Sequence, residues 1–361
     1  MKAMMIIIPL VYLSGNGYLY WKIWQTMTGI PLWGKILISL LFWLIAFSLF
    51  ASIGLRNFNI PEWVFRNMFQ IGSIWMVFLL YMVLLLIVLD IAKIFLPLPG
   101  NTLWYSLAIT CCLLIYGHIN YKNPQVEHIN INLEKAFEGN SLRIVAASDI
   151  HLGYGTGLST LKEYVKLINS QNPDIILISG DLIDNSLKPL LKEPFDKELS
   201  KLKAPLGVYM VPGNHEYISG INECDDFLKR TSIKLMRDSI VVLPNGIQII
   251  GRDDRFNRKR KHLADLLAQV DMSRPTIVMD HQPYKLASVD SLKVDLQVSG
   301  HTHHGQLWPL SIVTDALYEQ SYGYRKWTNT HVWVSSGLSL WGPPFRIGTN
   351  SDIAVIELHS R

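Results

Sequence analysis

Gly300-His301-Thr302-His303-His304-Gly305-Gln306 places three imidazoles in four residues between two glycines. The heptapeptide follows an apolar run, residues 294–298, that reads as a strand ending in Ser299. A chance cluster of histidines is not expected at a strand end between two glycines. On extended backbone, side chains two apart share a face. His301 and His303 could then each take one ion of a pair, with His304 pointing the other way. Four earlier runs end in the same manner. Residues 142–147 lead to Ser148-Asp149, and residues 175–179 to Gly180-Asp181. Residues 208–211 lead to Pro212-Gly213-Asn214, and residues 276–279 to Asp280-His281. Continuous Ile/Val/Leu runs of this length are the mark of strands buried on both faces.

Each of these endings carries a metal-ligand type of residue, and carboxyl strand ends are where α/β sheets place their sites. Asp149-Ile150-His151 offers a carboxylate and an imidazole at i and i+2, able to grip one ion if the backbone is extended. Asp181 has two oxygens and can bridge two cations. Asp184 either orients a histidine or caps a helix, and the two readings are equally good. Asn214 supplies a neutral oxygen. Imidazole titrates near ~6.5, so the neighbouring His215 can give a proton to a leaving alkoxide at neutral pH. Singly, each of these would pass for an ordinary loop or turn. The set contains Asp, His and Asn and no thiolate, which suits Mn, Fe, Zn or Co better than Mg or Ca.

Between the runs lie helical patterns. Residues 158–170 put Leu161, Val165 and Ile168 on one face, and residues 194–202 begin with Pro194, which suits a first turn. Residues 247–251, 331–335 and 352–358 add strands, and residues 263–270 a helix. Residues 122–361 thus read as an α/β domain large enough for its own core. Residues 1–121 differ in kind. Four runs, residues 3–19, 36–55, 71–89 and 103–119, approach the roughly 20 apolar residues that cross a bilayer. Trp21, Trp24, Trp33, Trp63 and Trp104 lie near their ends, where amphipathic rings favour the interface. The first run contains Pro9, Ser14, Gly15, Asn16 and Gly17. Tyr18, Tyr20 and Trp21 after it fit an anchor better than a cleaved leader. With four spans, Lys2, Arg56, Arg66 and Lys122 share one side and Lys22, Lys35 and Lys93 the other. That bias places the large domain on the cytoplasmic side of an inner or plasma membrane.

Composition sets further bounds. Residues 1–121 hold six Lys/Arg and two acids, which leaves 27 of each sign for the rest from totals of 33 and 29. The formal charge of +4 therefore belongs to the first third, and no nucleic acid partner is expected. Cys111 and Cys112 sit in an apolar run, and Cys224 alone in the polar part, which excludes an internal disulfide there. Arg252–His262 carries six basic residues before its last position, read either as a solvated loop or as a rim for phosphate or anionic lipid. Asp90, near Lys93, reads as interfacial. The aromatic stretch 318–341 reads as core and loop packing.

The ordered set D-x-H, G-D-x-x-D, G-N-H-E, H, G-H-x-H resembles the calcineurin-like metallophosphoesterases over residues 142–358. The late Trp341-Gly342-Pro343-Pro344-Phe345-Arg346 stretch is similar to a membrane-attached branch of that family, in which His304 is more often Gly. The resemblance implies a pair of mixed sheets packed together, flanked by helices, behind the N-terminal transmembrane helices. It implies two divalent metal ions, one held by Asp149, His151, Asp181 and His303, the other by Asp181, Asn214, His281 and His301. It implies His215 as the proton donor, with Asp184, His304 and Arg346 behind the ligands or against the substrate. The reaction implied is attack of a metal-activated hydroxide on phosphorus. Four spans exceed what an anchor needs, which points to a phosphate-containing substrate resident in the lipid bilayer. The alternatives are a tethered phosphodiesterase of soluble nucleotides and a non-catalytic metal-binding scaffold.

Overall fold

A computed structural model of the chain describes residues 2–55, 58, 60–97, 100–139 and 141–360. Arg56 and the side chain of Lys2 lie outside them. The chain forms two compact units, Met1–His118 with Gly342–Pro344, and Ile119–Trp341 with Phe345–Arg361.

The first unit is helical. Its elements are α1 (Lys2–Thr26), α2 (Leu32–Leu55), α3 (Glu62–Phe95) and α4 (Thr102–Tyr121), whose last turn belongs to the second unit. Four spans are expected from the sequence; among the described residues three helices, α2, α3 and α4, are long and apolar enough to cross a membrane, and α1, which holds the expected first run, is not one of them. Their outward residues, such as Leu40, Leu44, Ile87, Val88 and Ile115, are exposed leucines, isoleucines and valines, as lipid contact requires. Phe42, Ala46, Leu79, Met82 and Leu86 close the interior. A Cβ on Gly72 would lie 2.3 Å from the backbone nitrogen of Leu49, so a glycine lets α2 and α3 touch backbone to backbone. Asp90 pairs with Lys22 of α1 at 2.5 Å and accepts from Thr102 of α4 at 2.7 Å. Lys93, its neighbour in sequence, instead donates to the Gly100 carbonyl.

The second unit holds twelve strands in two six-stranded sheets. They are β1 (Gln125–Leu133), β2 (Ser141–Ala147), β3 (Ile175–Ile178), β4 (Val208–Met210), β5 (Ile233–Leu235), β6 (Ser239–Val242), β7 (Gln248–Gly251), β8 (Thr276–Met279), β9 (Leu296–Ser299), β10 (Gly323–Lys326), β11 (His331–Val334) and β12 (Asp352–Ser360). One sheet has the order β1-β12-β2-β3-β4-β5, the other β10-β11-β9-β8-β7-β6. Ile144, Ala146, Leu177, Ile249, Val298 and Trp333 fill the space between them. Helix α5 (Leu158–Ser170) covers the first sheet through Leu161, Val165 and Ile168, packed with Val145 and Ile176. Leu263, Leu266 and Val289 cover the second against Ile250 and Val278. Every central strand is thus covered on both faces, which is why those strands read as unbroken apolar runs.

The five ligand-bearing strand ends come from both sheets: β2, β3 and β4 from one, β8 and β9 from the other. Helix bounds also differ from expectation. The run 194–202 forms only Phe195–Leu199, and 263–270 only Leu263–Leu267.

Candidate metal centre

The ligand loops leave their strands in left-handed backbone rather than extended backbone. Asp149, His151, Asp181, His301 and His303 have φ of 54°, 48°, 51°, 72° and 49°. The alternation argument for Asp149/His151 and for His301/His303 therefore gives way to tight turns that aim each side chain individually. Such conformations cost about 1–3 kcal/mol each and persist where the surroundings over-determine them. The surroundings here are specific. The Asp149 backbone N–H donates to the Gly180 carbonyl and His151 N–H to the Asp181 carbonyl, so the two loops zip together past the sheet. Asp149 Oδ2 accepts from the His301 N–H at 2.9 Å, and Asp181 Oδ1 from the His215 N–H at 2.9 Å.

Three groups of side chains converge: Asp149, His151 and His303; His151, Asp181 and His215; Asp181, His281 and His301. His303 Nε2 lies 3.3 Å from Asp149 Oδ1, and His281 Nε2 lies 3.1 Å from Asp181 Oδ2. Asn214 Oδ1 stands 3.3 Å from His281 Nε2. Asp149 Oδ1 is fully buried and accepts no hydrogen bond. An orphaned buried carboxylate oxygen is costly unless a cation meets it. Opposite it, the Nε2 atoms of His151 and His303 face each other at 3.0 Å, so two imidazole nitrogens share one small space. A divalent cation fits that donor set, since it satisfies all three atoms at once.

Asp184 stands behind the imidazoles. Its Oδ1 is 3.1 Å from His215 Nδ1 and 3.5 Å from His151 Nδ1. The His215 contact is off the line of a hydrogen bond in this geometry, and both nitrogens are otherwise unpartnered. No helix begins at Asp184, so of its two sequence readings the orienting one matches its surroundings. Glu216 is a group that sequence reasoning passed over, although it closes the G-N-H-E motif. It is fully buried and accepts the N–H groups of Asp181, Ile183 and Gly213. One carboxylate thus fixes the Asp181 loop to the Asn214 loop. Burial, with the charge of Asp181, pushes it up to about 7 despite those three bonds.

The remaining expected residues are placed as follows. Arg346 is fully buried and donates to the carbonyls of His303, Gly337 and Ser339 at 2.8–2.9 Å. It ties together the loops that carry those carbonyls. His304 turns away from the ligands, stacks on Tyr322 at 4.8 Å and brings Nε2 to 3.5 Å from Asp315. In the basic segment, Arg252 and Arg260 both turn in to Asp280, beside His281, while Arg258, Lys259 and Lys261 are exposed. Arg255 lies 4.1 Å over the Tyr284 ring, and Tyr284 packs on Tyr318 at 4.9 Å.

Comparison with known proteins gives the family of the chain. The family model described as calcineurin-like phosphoesterase matches residues 142–305. An uncharacterized metallophosphoesterase of Campylobacter jejuni is 33% identical over 71% of this chain and 69% of its own. One of Helicobacter pylori is 34% identical over 65% of this chain and 64% of its own. A transmembrane protein with metallophosphoesterase domain of Danio rerio is 34% identical over 70% of this chain and 62% of its own. The match with the Helicobacter relative thus spans a little under two thirds of that protein.

Proposed function

The chain belongs to the calcineurin-like phosphoesterase family, and from that premise we propose a membrane-anchored phosphohydrolase that uses two divalent cations to cleave a phosphate ester on a lipid. The observation that carries the reading is the orphaned Oδ1 of Asp149, buried between the Nε2 atoms of two histidines. One ion would be held by Asp149, His151, Asp181 and His303, the other by Asp181, Asn214, His281 and His301, with Mn, Fe or Zn as the metals the donors favour. Such ions, when bound, supply charge for the phosphoryl oxygens and make water acidic enough to attack phosphorus.

The chain's own groups do the rest. Asp181 Oδ2 lies 3.1 Å from His281 Nε2 and 3.9 Å from His151 Nε2, within reach of both sets, while Oδ1 takes the His215 N–H and Glu216 holds the loop through the Asp181 N–H. His281 donates its Nδ1–H to the Ser179 carbonyl, which reserves Nε2 for a ligand role. His215 turns Nδ1 toward Asp184, so Nε2 is the atom that delivers a proton to the leaving alkoxide. Two features support a substrate in the bilayer. Among the described residues three helices are long and apolar enough to cross it, and residues 122–124 alone separate α4 from β1.

The test is turnover by the full chain in detergent with Mn2+. One panel holds lipid phosphomonoesters, phosphodiesters and pyrophosphate-linked lipids; the other holds cyclic and linear nucleotides. We expect preference for the lipid panel, with Asp181→Asn inactive and His215→Ala impaired. Preference for nucleotides would overturn the lipid substrate. No turnover of either panel by metal-loaded protein would overturn hydrolysis and leave a binding scaffold.

A further inference from the structure

The loop that carries His301 and His303 runs directly into a short helix, Leu310–Leu317, whose polarity is inverted. Trp308, Leu310, Ile312, Val313 and Leu317 are exposed, with Ile312 at 60% and Leu317 at 69%. Ser311 is the helix's buried residue. Asp315 turns back toward the domain, where it accepts from the Ser321 hydroxyl and lies 3.5 Å from His304 Nε2. Asp315 is itself exposed at 58%, yet a helix that buries serine while showing leucine, isoleucine and valine is not arranged for water alone.

We propose that Trp308 and the helix Leu310–Leu317 insert into the lipid–water interface of the membrane that holds the chain's own apolar helices. Several observations select lipid as the occupant. The chain brings its own bilayer, through three helices able to cross it. Residues 122–124, the whole connection between α4 and β1, span about 10 Å when extended, so the domain cannot leave the bilayer surface by more than a short distance. The exposed set combines one tryptophan with branched aliphatics, the composition of helices that lie in the interface. A partner protein would need its own reason to be there; the bilayer is always within reach.

The helix is also tied to the candidate metal loop. A Cβ on Gly305 would lie 2.4 Å from the Leu310 carbonyl carbon and from Ser311 N, so loop and helix touch backbone to backbone. At the helix end, the Tyr318 ring meets the His301 ring edge-on at 6.3 Å. The contact of His304 with Asp315 closes the link. Insertion would thus fix the depth of the metal loop relative to the lipid phosphates. This last step rests on the lipid-phosphate reading above; the insertion itself does not.

The experiment uses the full chain in liposomes, with Cys111 and Cys112 changed to serine and Cys224 left buried. A nitroxide is placed by Ile312→Cys, and in a control by Asp226→Cys on a charged, exposed surface. Collision with oxygen is compared with collision with a water-soluble nickel complex. We expect the Ile312 label to favour oxygen and the Asp226 label to favour nickel. An Ile312 label as open to nickel as the control overturns the inference. Dipolar broadening between Ile312 labels would assign the face to a second copy and also overturn it. A second variant, Ile312→Glu with Val313→Glu, should keep turnover of a soluble aryl phosphate ester. Its turnover of lipid phosphate should fall more than about tenfold, from the cost of charge in the bilayer. A label in lipid without any lipid preference in turnover would retain the insertion and overturn only the substrate reading.

Discussion

His281 Nδ1 lies 2.7 Å from the Ser179 carbonyl oxygen, and this contact fixes which nitrogen faces the cluster. A carbonyl only accepts, so Nδ1 carries the proton and Nε2 meets Asp181 at 3.1 Å. The carbonyl belongs to the last residue before Gly180-Asp181. The end of one sheet's strand therefore orients the ligand that leaves the other sheet, and the site exists only where the two sheets meet.

Without a cation, the same cluster holds protons. Burial alone would lower His151, but Asp149, Asp184 and Asp181 push it up to about 10. Burial likewise opposes His281, and the charge of Asp181 raises it well above its ordinary value. His301 and His303 are lowered to about 4, by burial first. At pH 7 the first two are protonated and the last two are free. Metal uptake at pH 7 should therefore release about two protons per chain. Titration calorimetry in two buffers of different ionisation enthalpy measures this; a buffer-independent heat would contradict it. The sign for stability of the ion-free protein follows. Raised groups such as His151 stabilise it fully below pH 6.5, and that contribution is lost as pH rises toward 10. Lowered groups such as His303 act oppositely, costing stability as pH falls from 6.5 toward 4.

Asp184 touches His151 and His215 on the side away from the cluster. Its carboxyl is held down at about 2; burial opposes this, and the two imidazoles prevail. Asp184→Asn keeps the size and removes the charge. Loss of such a supporting group typically costs 10–100-fold in metal affinity or activity, and about that is expected here. The informative readout is the pH profile: a proton donor acts in its protonated form, so losing the carboxylate beside it should move the alkaline limb of kcat to lower pH. An unchanged profile would mean that Asp184 serves only packing.

Gly300 admits no side chain. A Cβ there would lie 2.0 Å from Ser148 Oγ and 2.2 Å from Asp149 Oδ2. Gly300→Ala must push Asp149 aside, at about 1–3 kcal/mol for overpacking. We expect a lower unfolding temperature and reduced metal content in the same variant. Normal metal content with lowered stability would show that Asp149 can yield without losing its ion.

The strand runs, the order of the ligand residues and the apolar first third were legible because each is a local pattern. Ile175–Ile178 is four buried residues in a row, and its covering on both faces leaves no alternation to misread. What sequence could not show was aim. The reading of Asp149 and His151 as neighbours on extended backbone brought the right residues together for the wrong reason, since both sit at positive φ. The three N–H groups on Glu216 come from residues 181, 183 and 213, a convergence that no spacing reveals. Strand β1 falls outside a reading built on continuous apolar runs, because as an edge strand it alternates Ile129, Ile131 and Leu133 with polar residues.

Arg346 offers the last test, because its burial separates two roles that sequence left joined. Its guanidinium reaches the carbonyls of His303, Gly337 and Ser339, and Ser336 as well. Those carbonyls lie on two loops, one bearing His303, the other packed on Ser148 and Asp149 through Leu338 and Ser339. A lysine keeps the charge but has no fork, so it can serve only part of this set. Orphaned buried carbonyls cost about 1–3 kcal/mol each, so Arg346→Lys should lose about 3 kcal/mol of stability. It should also weaken metal retention through His303. KM for a generic aryl phosphate should stay near its original value once metal is saturating, because the buried guanidinium is occupied by backbone carbonyls. A large rise in KM at full metal occupancy and unchanged stability would instead place Arg346 against the phosphate and contradict its burial.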